Sequence, residues 1–323
     1  MTITGSTSRD IRGWGVSRSN NLIWVFEMIK AHLIEHKNDD NLIVDAARAS
    51  FSKTSDQYTS EQNERLIRYL ARHNHWTPFS HVRITIPVDL DLYKLTETDV
   101  AGMVWNEYGM VRTSFHGWAN IFEKHLAERC IYDIAATLNH YCPVSYDAYY
   151  LPCIQPDDYS VQVNDPRFID ETFLYEVPIF VARQEFKHMI GFTRNERSGR
   201  YVTAEPEIYT PDVWRAKPDG SIKQGSGGAS GISDYISEDI YPRLMAESTD
   251  AYDWILSRNI APEMARMVLP QSMMTSYYVT GSLAAYRRMV DQRKDPTAQK
   301  EIQLLADIVD EKLTAKYGSK WGL

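Results

Sequence analysis

The spacing of apolar residues along the chain predicts a protein built largely of helices. Apolar positions recur every three or four residues, the period of an amphipathic helix, in several long segments. Ser60, with Asn63 and Glu64, has the pattern of a capped helix start, and Pro178 suits the first turn of another helix. The predicted helices cover residues 21–37, 40–51, 60–73, 96–141, 177–189, 233–259, 280–293 and 298–317.

Other segments carry the patterns of strand and loop. Residues 82–93 alternate apolar and polar positions, which predicts a strand. Residues 143–170 are rich in Pro and Asp and are predicted to be loop, and residues 220–231, rich in Gly and Ser, a flexible surface loop. Because no internal repeat interrupts this order, the sequence predicts a single α+β domain over residues 1–323.

Composition and charge narrow the class of protein. The 323 residues are 43% hydrophobic and 24% charged, with a formal net charge of -8, as in water-soluble globular proteins. An acidic chain is a poor partner for a phosphate backbone, so we expect no nucleic acid. No apolar run is long enough for a membrane span. The N-terminus has no secretory pattern, and the three cysteines have no CxxC spacing, so we expect reduced thiols and a cytoplasmic protein.

Residues 182–201 (ARQEFKHMIGFTRNERSGRY) reverse the sign of this charge locally. On a helix, Arg183 and Lys187 share one face, as do Gln184 and His188. Arginines with a hydroxyl and a glycine suit a phosphate, because guanidinium forks bind its oxygens in pairs and glycine lets backbone N–H groups approach. The alternative is a solvated, salt-bridged helix face on which Glu185 and Glu196 neutralise the cations. The residues that carry the phosphate interpretation are Arg194, Arg197, Ser198, Gly199 and Arg200.

Two further arginines favour the phosphate interpretation. Arg266 lies in the apolar run MARMVLPQSM, and Arg293 ends the helix that carries Arg287 and Arg288. An arginine within an apolar run is costly to bury unless it meets an anion. We therefore expect a phosphorylated ligand.

Several motifs, in order, give the chain a family resemblance. ARQEFKHM followed by NERSGRY resembles the signature of the flavin-dependent thymidylate synthases, and DAARASF, HNHWTPFSH, IKQGS, ARMVLP and R-x-x-x-x-AQ-x-EI also look like that family. The resemblance implies the fold of that family, a mixed sheet flanked by helices. Residues 89–176 look like a mainly helical insertion between the strand and the signature helix of the family.

The resemblance also implies an activity and its cofactors. A member of this family binds FAD, takes electrons from NADPH and transfers the one-carbon unit of 5,10-methylenetetrahydrofolate to C5 of deoxyuridine monophosphate (dUMP), forming dTMP without a cysteine nucleophile. It is a homotetramer with active sites formed between subunits.

Residue by residue, the motifs imply two sets of contacts. Arg293 would contact the uracil and favour its ionised form, which makes it the expected catalytic residue. The nucleotide set is Gln184, Lys187, Glu196, Arg197, Ser198, Gly199, Arg200, Arg266 and Arg293. The FAD set is Ser50, His75, Thr77, Lys187, His188, Glu196, Ser282 and Arg288.

The signature departs from the family pattern, and the departures leave alternatives open. Lys187-His188-Met189 replaces Arg-His-Arg, one extra residue precedes Ser198, and Arg288 replaces a neutral amide. One alternative is hydroxymethylation of dUMP or dCMP, in which water completes the reaction. Another is a non-catalytic protein that binds a nucleotide or a flavin.

Two other motifs have weaker readings. The histidines of HNHWTPFSH lack a nearby cysteine or carboxylate and fit no common zinc spacing, so no metal is expected. LPCIQP around Cys153 resembles the nucleophile neighbourhood of the cysteine-dependent thymidylate synthases, but the rest of that pattern is absent and an ordinary thiol is favoured.

Overall fold

A computed structural model describes residues 28–35, 38–51, 53–87, 103–105, 109–124, 131–149, 165–197, 206–218 and 225–322. The strands are β1 (Lys30–Leu33), β2 (Arg83–Pro87), β3 (Val104–Trp105), β4 (Met110–Ser114), β5 (Asp170–Pro178), β6 (Phe192–Glu196) and β7 (Met274–Ser282). The α-helices are α1 (Asp40–Arg48), α2 (Ser60–Arg72), α3 (Phe115–Lys124), α4 (Ile131–Tyr141), α5 (Pro143–Ala148), α6 (Ile179–Glu185), α7 (Tyr241–Ser257), α8 (Pro262–Ala265), α9 (Leu283–Arg293) and α10 (Lys300–Tyr317). A short helical turn (Ser233–Tyr235) and a π-helical turn (Ile236–Ile240) lead into α7.

The strands form two sheets, and their order confirms the α+β class. The larger sheet has the order β1-β5-β7-β6 and the smaller has the order β2-β4-β3. Every strand pairing among the described residues is antiparallel, so the expected mixed sheet is here two antiparallel sheets. The central pair, β5 with β7, runs in register from Asp170 opposite Ser282 to Pro178 opposite Met274. Aromatic and β-branched residues dominate both central strands, and such residues pack well on a pleated surface.

Each sheet has its own hydrophobic core. The smaller sheet packs with α1–α5, around the fully buried Phe115 and Trp118. The larger sheet packs with α6, α9 and α10, around Tyr277, Tyr286 and Leu305. Packing in the core of the larger sheet therefore fixes the position of α6, which precedes the turn that carries Lys187 and His188.

A buried charge cluster joins the two sheets. Arg83 on β2 and Arg112 on β4 both approach the carboxylate of Asp170 on β5, with nitrogen–oxygen distances of 3.3 and 2.9 Å. Arg83 also donates to the carbonyl oxygen of Gly191 at 3.1 Å. Burial lowers the pKa of Arg112 to about 10, and Asp170 opposes the shift. The cluster carries two positive charges and one negative charge, and the two arginines also donate to main-chain carbonyl groups and to the Thr193 hydroxyl.

Several sequence predictions are wrong in the same way: strand was predicted as helix. The predicted helix 21–37 contains β1, and its residues 21–27 lie outside the described part. For the predicted helix 280–293, the observed helix α9 begins three residues later than predicted, because β7 continues to Ser282. The predicted helix 96–141 contains β3 and β4 before α3 and α4. β1 and β7 both pair with β5, and β4 pairs with β2 as well as with its neighbour β3, so pairing outside the predicted helix overrides a local helical spacing.

The helix predicted for residues 177–189 is shorter at both ends. Residues 177 and 178 complete β5, and Pro178 is the extended residue immediately before α6 rather than part of its first turn. The helix ends at Glu185. Lys187 and His188 therefore lie in a turn and not on the helix. The shared helix faces expected for Arg183 with Lys187 and for Gln184 with His188 do not form.

The remaining boundaries need smaller corrections. The cap of α2 is Thr59, which forms a capping box with Gln62, rather than Ser60. The loop predicted for residues 143–170 begins with α5. Residues 225–230 of the predicted flexible loop pair with 214–216, through Gly227 N–H to the Ala216 oxygen at 2.9 Å; residues 220–224 lie outside the described part.

Candidate functional site

A buried ion pair stands at the end of α6. Glu185 is fully buried, and Arg194 on β6 binds its carboxylate through two nitrogens, at 2.8 and 2.6 Å. The Tyr277 hydroxyl donates to the same carboxylate at 3.1 Å. Burial raises the pKa of Glu185, and Arg194 opposes that rise. The solvated helix face predicted for Glu185 is therefore wrong, because this residue faces the interior.

The turn after α6 carries His188 against Arg293. Arg293 Nε lies 2.7 Å from His188 Nε2, and Arg293 Nη2 donates to the Gln184 carbonyl oxygen at 2.8 Å. Burial, followed by the charges of Arg293, Arg194 and Arg288, lowers the pKa of His188 to about 4. At neutral pH the imidazole is uncharged, and its Nε2 accepts the Arg293 hydrogen.

Gln184 connects this cluster to the last helix. Its side-chain Nε2 donates to the side-chain oxygen of Gln299 at 2.7 Å, and Gln299 is the residue immediately before α10. Gln299 belongs to the AQ-x-EI motif, but sequence reasoning gave it no role. Its position within that motif was the only feature of the sequence that could have pointed to a role for Gln299.

A separate cavity holds other residues of the predicted nucleotide set. It has a volume of about 480 Å³, and its border includes Glu196, Arg197, Arg266 and the methionines 28, 267, 273 and 274. Lys30, Glu176 and Glu207 also border it, and Lys30 pairs with Glu176 at 3.7 Å. Thr275 donates its hydroxyl to Glu196 at 2.8 Å. The cavity therefore presents two guanidinium groups, of Arg197 and Arg266, that form no ion pair with a described residue, beside three carboxylates.

The structure divides the predicted nucleotide set into two groups. Glu196, Arg197 and Arg266 border the cavity, whereas Gln184, Lys187 and Arg293 do not. Ser198, Gly199 and Arg200 lie outside the described residues. Arg266 is exposed, so the cost of burying a cation is no argument for an anion at this position.

Part of the predicted FAD set lies around the turn after α6, where Arg288 donates to the carbonyl oxygen of Ile190, two residues after His188. His75, Thr77, Lys187 and Arg288 are exposed, and His188 is buried. Ser282 is 6% exposed, and its hydroxyl caps α9 by accepting the N–H of Ala285 at 3.2 Å. The side chain of Ser50 lies outside the described part. The two exposed cations, Lys187 and Arg288, have the chemistry needed for the diphosphate of FAD.

Two sequence motifs can be placed against their alternatives. His81 is buried and its Nδ1 lies 2.8 Å from the Thr280 hydroxyl, whereas His73 and His75 are exposed, so these three histidines do not share one site.

Cys142 is buried and its thiol pKa is raised well above its usual value, which makes it a poor nucleophile. Cys130 and Cys153 lie outside the described residues. None of the described helices is both long enough and apolar enough to cross a lipid bilayer.

Comparisons with known proteins identify the family. The family model described as "Thymidylate synthase complementing protein" matches residues 32–94 and 167–317. A flavin-dependent thymidylate synthase of Aquifex aeolicus is 30% identical over 319 residues, covering 88% of this chain and 96% of that protein. A flavin-dependent thymidylate synthase of Thermus thermophilus is 36% identical over 145 residues, but the match covers 44% of this chain and only 52% of that relative.

A solved structure is also similar to the chain. The UMP/dUMP methylase PolB of Streptomyces cacaoi, bound to 5-Br dUMP, aligns over 91% of this chain and 93% of its own, at 20% identity and a TM-score of 0.45.

The chain belongs to the family of flavin-dependent thymidylate synthases. The resemblance stated from the motifs is confirmed, and so is the prediction of a thymidylate synthase-like enzyme at the level of the family. The second matched segment begins at residue 167, and β5 lies inside it. Residues 167–176 therefore belong with the family fold, while the insertion over the preceding segment stays a prediction.

Proposed function

We propose that the protein transfers a one-carbon unit from 5,10-methylenetetrahydrofolate to C5 of dUMP, forming dTMP, with FAD as cofactor and NADPH as reductant. The observation that carries the proposal is the cavity bordered by Glu196, Arg197 and Arg266, in a chain of this family. A nucleotide phosphate is the natural partner of two guanidinium groups that form no ion pair with a described carboxylate, because each fork can bind two phosphate oxygens.

The pyrimidine ring has a separate partner in this proposal. Arg293 would lie against the uracil and stabilise negative charge on its ring, which makes C5 more nucleophilic. The neutral His188 and the Gln184 carbonyl oxygen hold the guanidinium through Nε and Nη2. Its Nη1 donates to no described residue and would be available to the ring.

FAD would be held by the exposed residues of its predicted set. Lys187 and Arg288 would bind its diphosphate, and His75 and Thr77 would contact it from the segment after α2. When bound, FAD would supply the electrons that the one-carbon unit needs to become a methyl group. NADPH and the folate are proposed from the family and have no site assigned among the described residues.

The separation of Arg293 from the cavity residues supports a site shared between subunits of a homotetramer. Arg266 from one protomer would hold the phosphate while Arg293 from another contacts the ring. Mixed assemblies test this arrangement. Arg266→Ala and Arg293→Ala are each expected to abolish turnover of dUMP, and Arg293→Ala is expected to keep FAD.

The two variants are then unfolded, mixed and refolded together. If the site is shared, some mixed tetramers contain one intact site, and a fraction of wild-type dTMP formation returns. The control is each variant refolded alone. No recovery, in tetramers shown by mass to contain both variants, would contradict the shared site.

A further inference from the structure

The buried pair of Glu185 and Arg194 lies outside the cavity and belongs to neither predicted set of ligand contacts. Glu185 is fully buried, and the carboxylate is matched by one guanidinium and one tyrosine hydroxyl. A buried ion pair is weak grounds for stability, because apolar residues of similar volume often serve as well or better. The pair therefore invites an explanation other than stability.

Arg194 holds the main chain of the turn after α6. Its Nη2 donates to the carbonyl oxygen of His188 at 2.6 Å and to that of Glu185 at 3.2 Å, besides the carboxylate. Carbonyl groups at the end of a helix lack partners within the helix, so a donor from β6 satisfies them. The rings of Phe186 and Phe192 lie 5.6 and 4.9 Å from the guanidinium carbon and enclose it.

The position of this turn determines the orientation of the Arg293 guanidinium, because His188 in the turn is one of its two acceptors. His188 offers Nε2 to Arg293 Nε only while the imidazole is neutral with its hydrogen on Nδ1. The second contact of Arg293 is the Gln184 carbonyl oxygen, one residue before the buried carboxylate. Displacement of the turn would move His188 away from Arg293 Nε, while the Gln184 carbonyl oxygen, at the end of α6, would still hold Nη2. The guanidinium would then lose one of its two supports and rotate away from its present plane.

We propose that Glu185 and Arg194 are positioning residues: the pair fixes the turn so that neutral His188 and the Gln184 carbonyl aim Arg293 at the pyrimidine ring. The inference rests on the proposed function, because it takes the ring as the partner of Arg293. Neither residue touches the substrate, and both act through the main chain of the turn.

A double variant separates positioning from stability. In Glu185→Leu/Arg194→Met the pair is replaced by apolar side chains of similar length. The Tyr277 hydroxyl and the carbonyl oxygens of Glu185 and His188 lose a partner, so the urea midpoint should fall, and kcat is compared under conditions in which the variant is fully folded. The turn loses its carbonyl donor, and kcat for dUMP should fall by roughly 100-fold, the scale of a small misplacement of a catalytic group. KM for dUMP should change little, because the cations of the cavity are intact. The matched control is Glu64→Leu/Arg68→Met, which removes an exposed pair on α2 and should keep the wild-type kcat.

A second readout does not depend on turnover. In the FAD-loaded protein, the pH at which bound 5-fluoro-dUMP loses its ring proton is followed by ultraviolet difference spectra. A positioned Arg293 should lower that pH relative to the free nucleotide, and the double variant should lose most of the lowering. If wild-type protein lowers the ring pKa but forms no product, the proposed reaction fails while the positioning role stands.

Three results would overturn the positioning role. The first is a wild-type kcat in a folded double variant. The second is a ring pKa of bound 5-fluoro-dUMP that is the same in the double variant as in the wild-type protein. The third is a fall in kcat in the Glu64/Arg68 control as large as that in the double variant. If the double variant does not fold, Arg194→Lys replaces it, since lysine keeps the charge opposite Glu185 but not the fork. That variant should lower kcat with normal KM, and a wild-type kcat would again refute the inference.

Discussion

The charge cluster between the two sheets gives a direct test of how the fold is held. Asp170→Asn keeps the size of the side chain but removes the negative charge between Arg83 and Arg112, whose side chains are 6% and 1% exposed. The two buried guanidinium groups would then repel each other without a counter-charge. Breaking a buried pair costs about 3–5 kcal/mol, and we expect the lower end because Asp170 is itself 15% exposed.

A loss of about 3 kcal/mol is a large part of the ~5–15 kcal/mol that holds a typical domain folded. Urea unfolding should show a lower midpoint with an unchanged slope. Protomer concentration must be held fixed, because subunit association contributes to apparent stability.

The matched control for this measurement is Glu64→Gln. Glu64 also pairs with an arginine, at 2.7 Å, but that arginine, Arg68, is 44% exposed and is not part of the cluster. An exposed pair contributes at most about 1 kcal/mol, so the control should change the midpoint only slightly. If Asp170→Asn and Glu64→Gln gave the same small change, the other contacts of the two arginines would suffice to hold them, and the charge of Asp170 would not join the sheets.

Three further predictions concern single positions. The pKa of His188 falls from 6.5 to about 4 on folding, so its contribution to stability is present above pH 6.5 and lost as pH falls towards about 4; His188→Gln should remove that part of the pH dependence of urea unfolding. Gly281→Ala should destabilise the fold by about 1–3 kcal/mol, because its Cβ would lie 2.4 Å from the Phe192 ring; Gly231→Ala, with no described atom within 4 Å, should not. The buried thiol of Cys142 should resist iodoacetamide in the native protein and react after unfolding, as mass spectrometry would show; Cys142→Ala should keep dTMP formation, and loss of activity in a folded variant would reopen a cysteine mechanism.

The sequence could predict the elements whose local signals agree with their surroundings. Helices α2 and α10 have long apolar periodicity, and both appear close to the predicted bounds. Strands β5 and β7 were not predicted. The alternation in β5 is short, with Phe173, Tyr175 and Val177 buried, and β7 is buried at nearly every position and carries none. Their identity depends on pairing with each other across about a hundred residues of chain.

The sequence motifs predicted several residues of the candidate site, but not how these residues are arranged in space. The signature stretch led to Arg197, Glu196 and, with ARMVLP, to Arg266, which border one cavity. No spacing rule relates Glu185 to Arg194, because a turn and the start of a strand separate them. Only the folded chain shows that this carboxylate is buried and that its partner supports the turn.

The central claim is the transfer of a one-carbon unit to C5 of dUMP. Purified FAD-loaded protein is incubated with dUMP, NADPH and methylenetetrahydrofolate labelled with deuterium at the transferred carbon, and the nucleotide product is weighed by mass spectrometry. The account predicts dTMP that carries the label in its methyl group, and none in protein with Arg266→Ala. A hydroxymethyl product would keep the transfer but contradict the proposed final step, and an unchanged nucleotide under conditions where NADPH bleaches the flavin would contradict the claim itself.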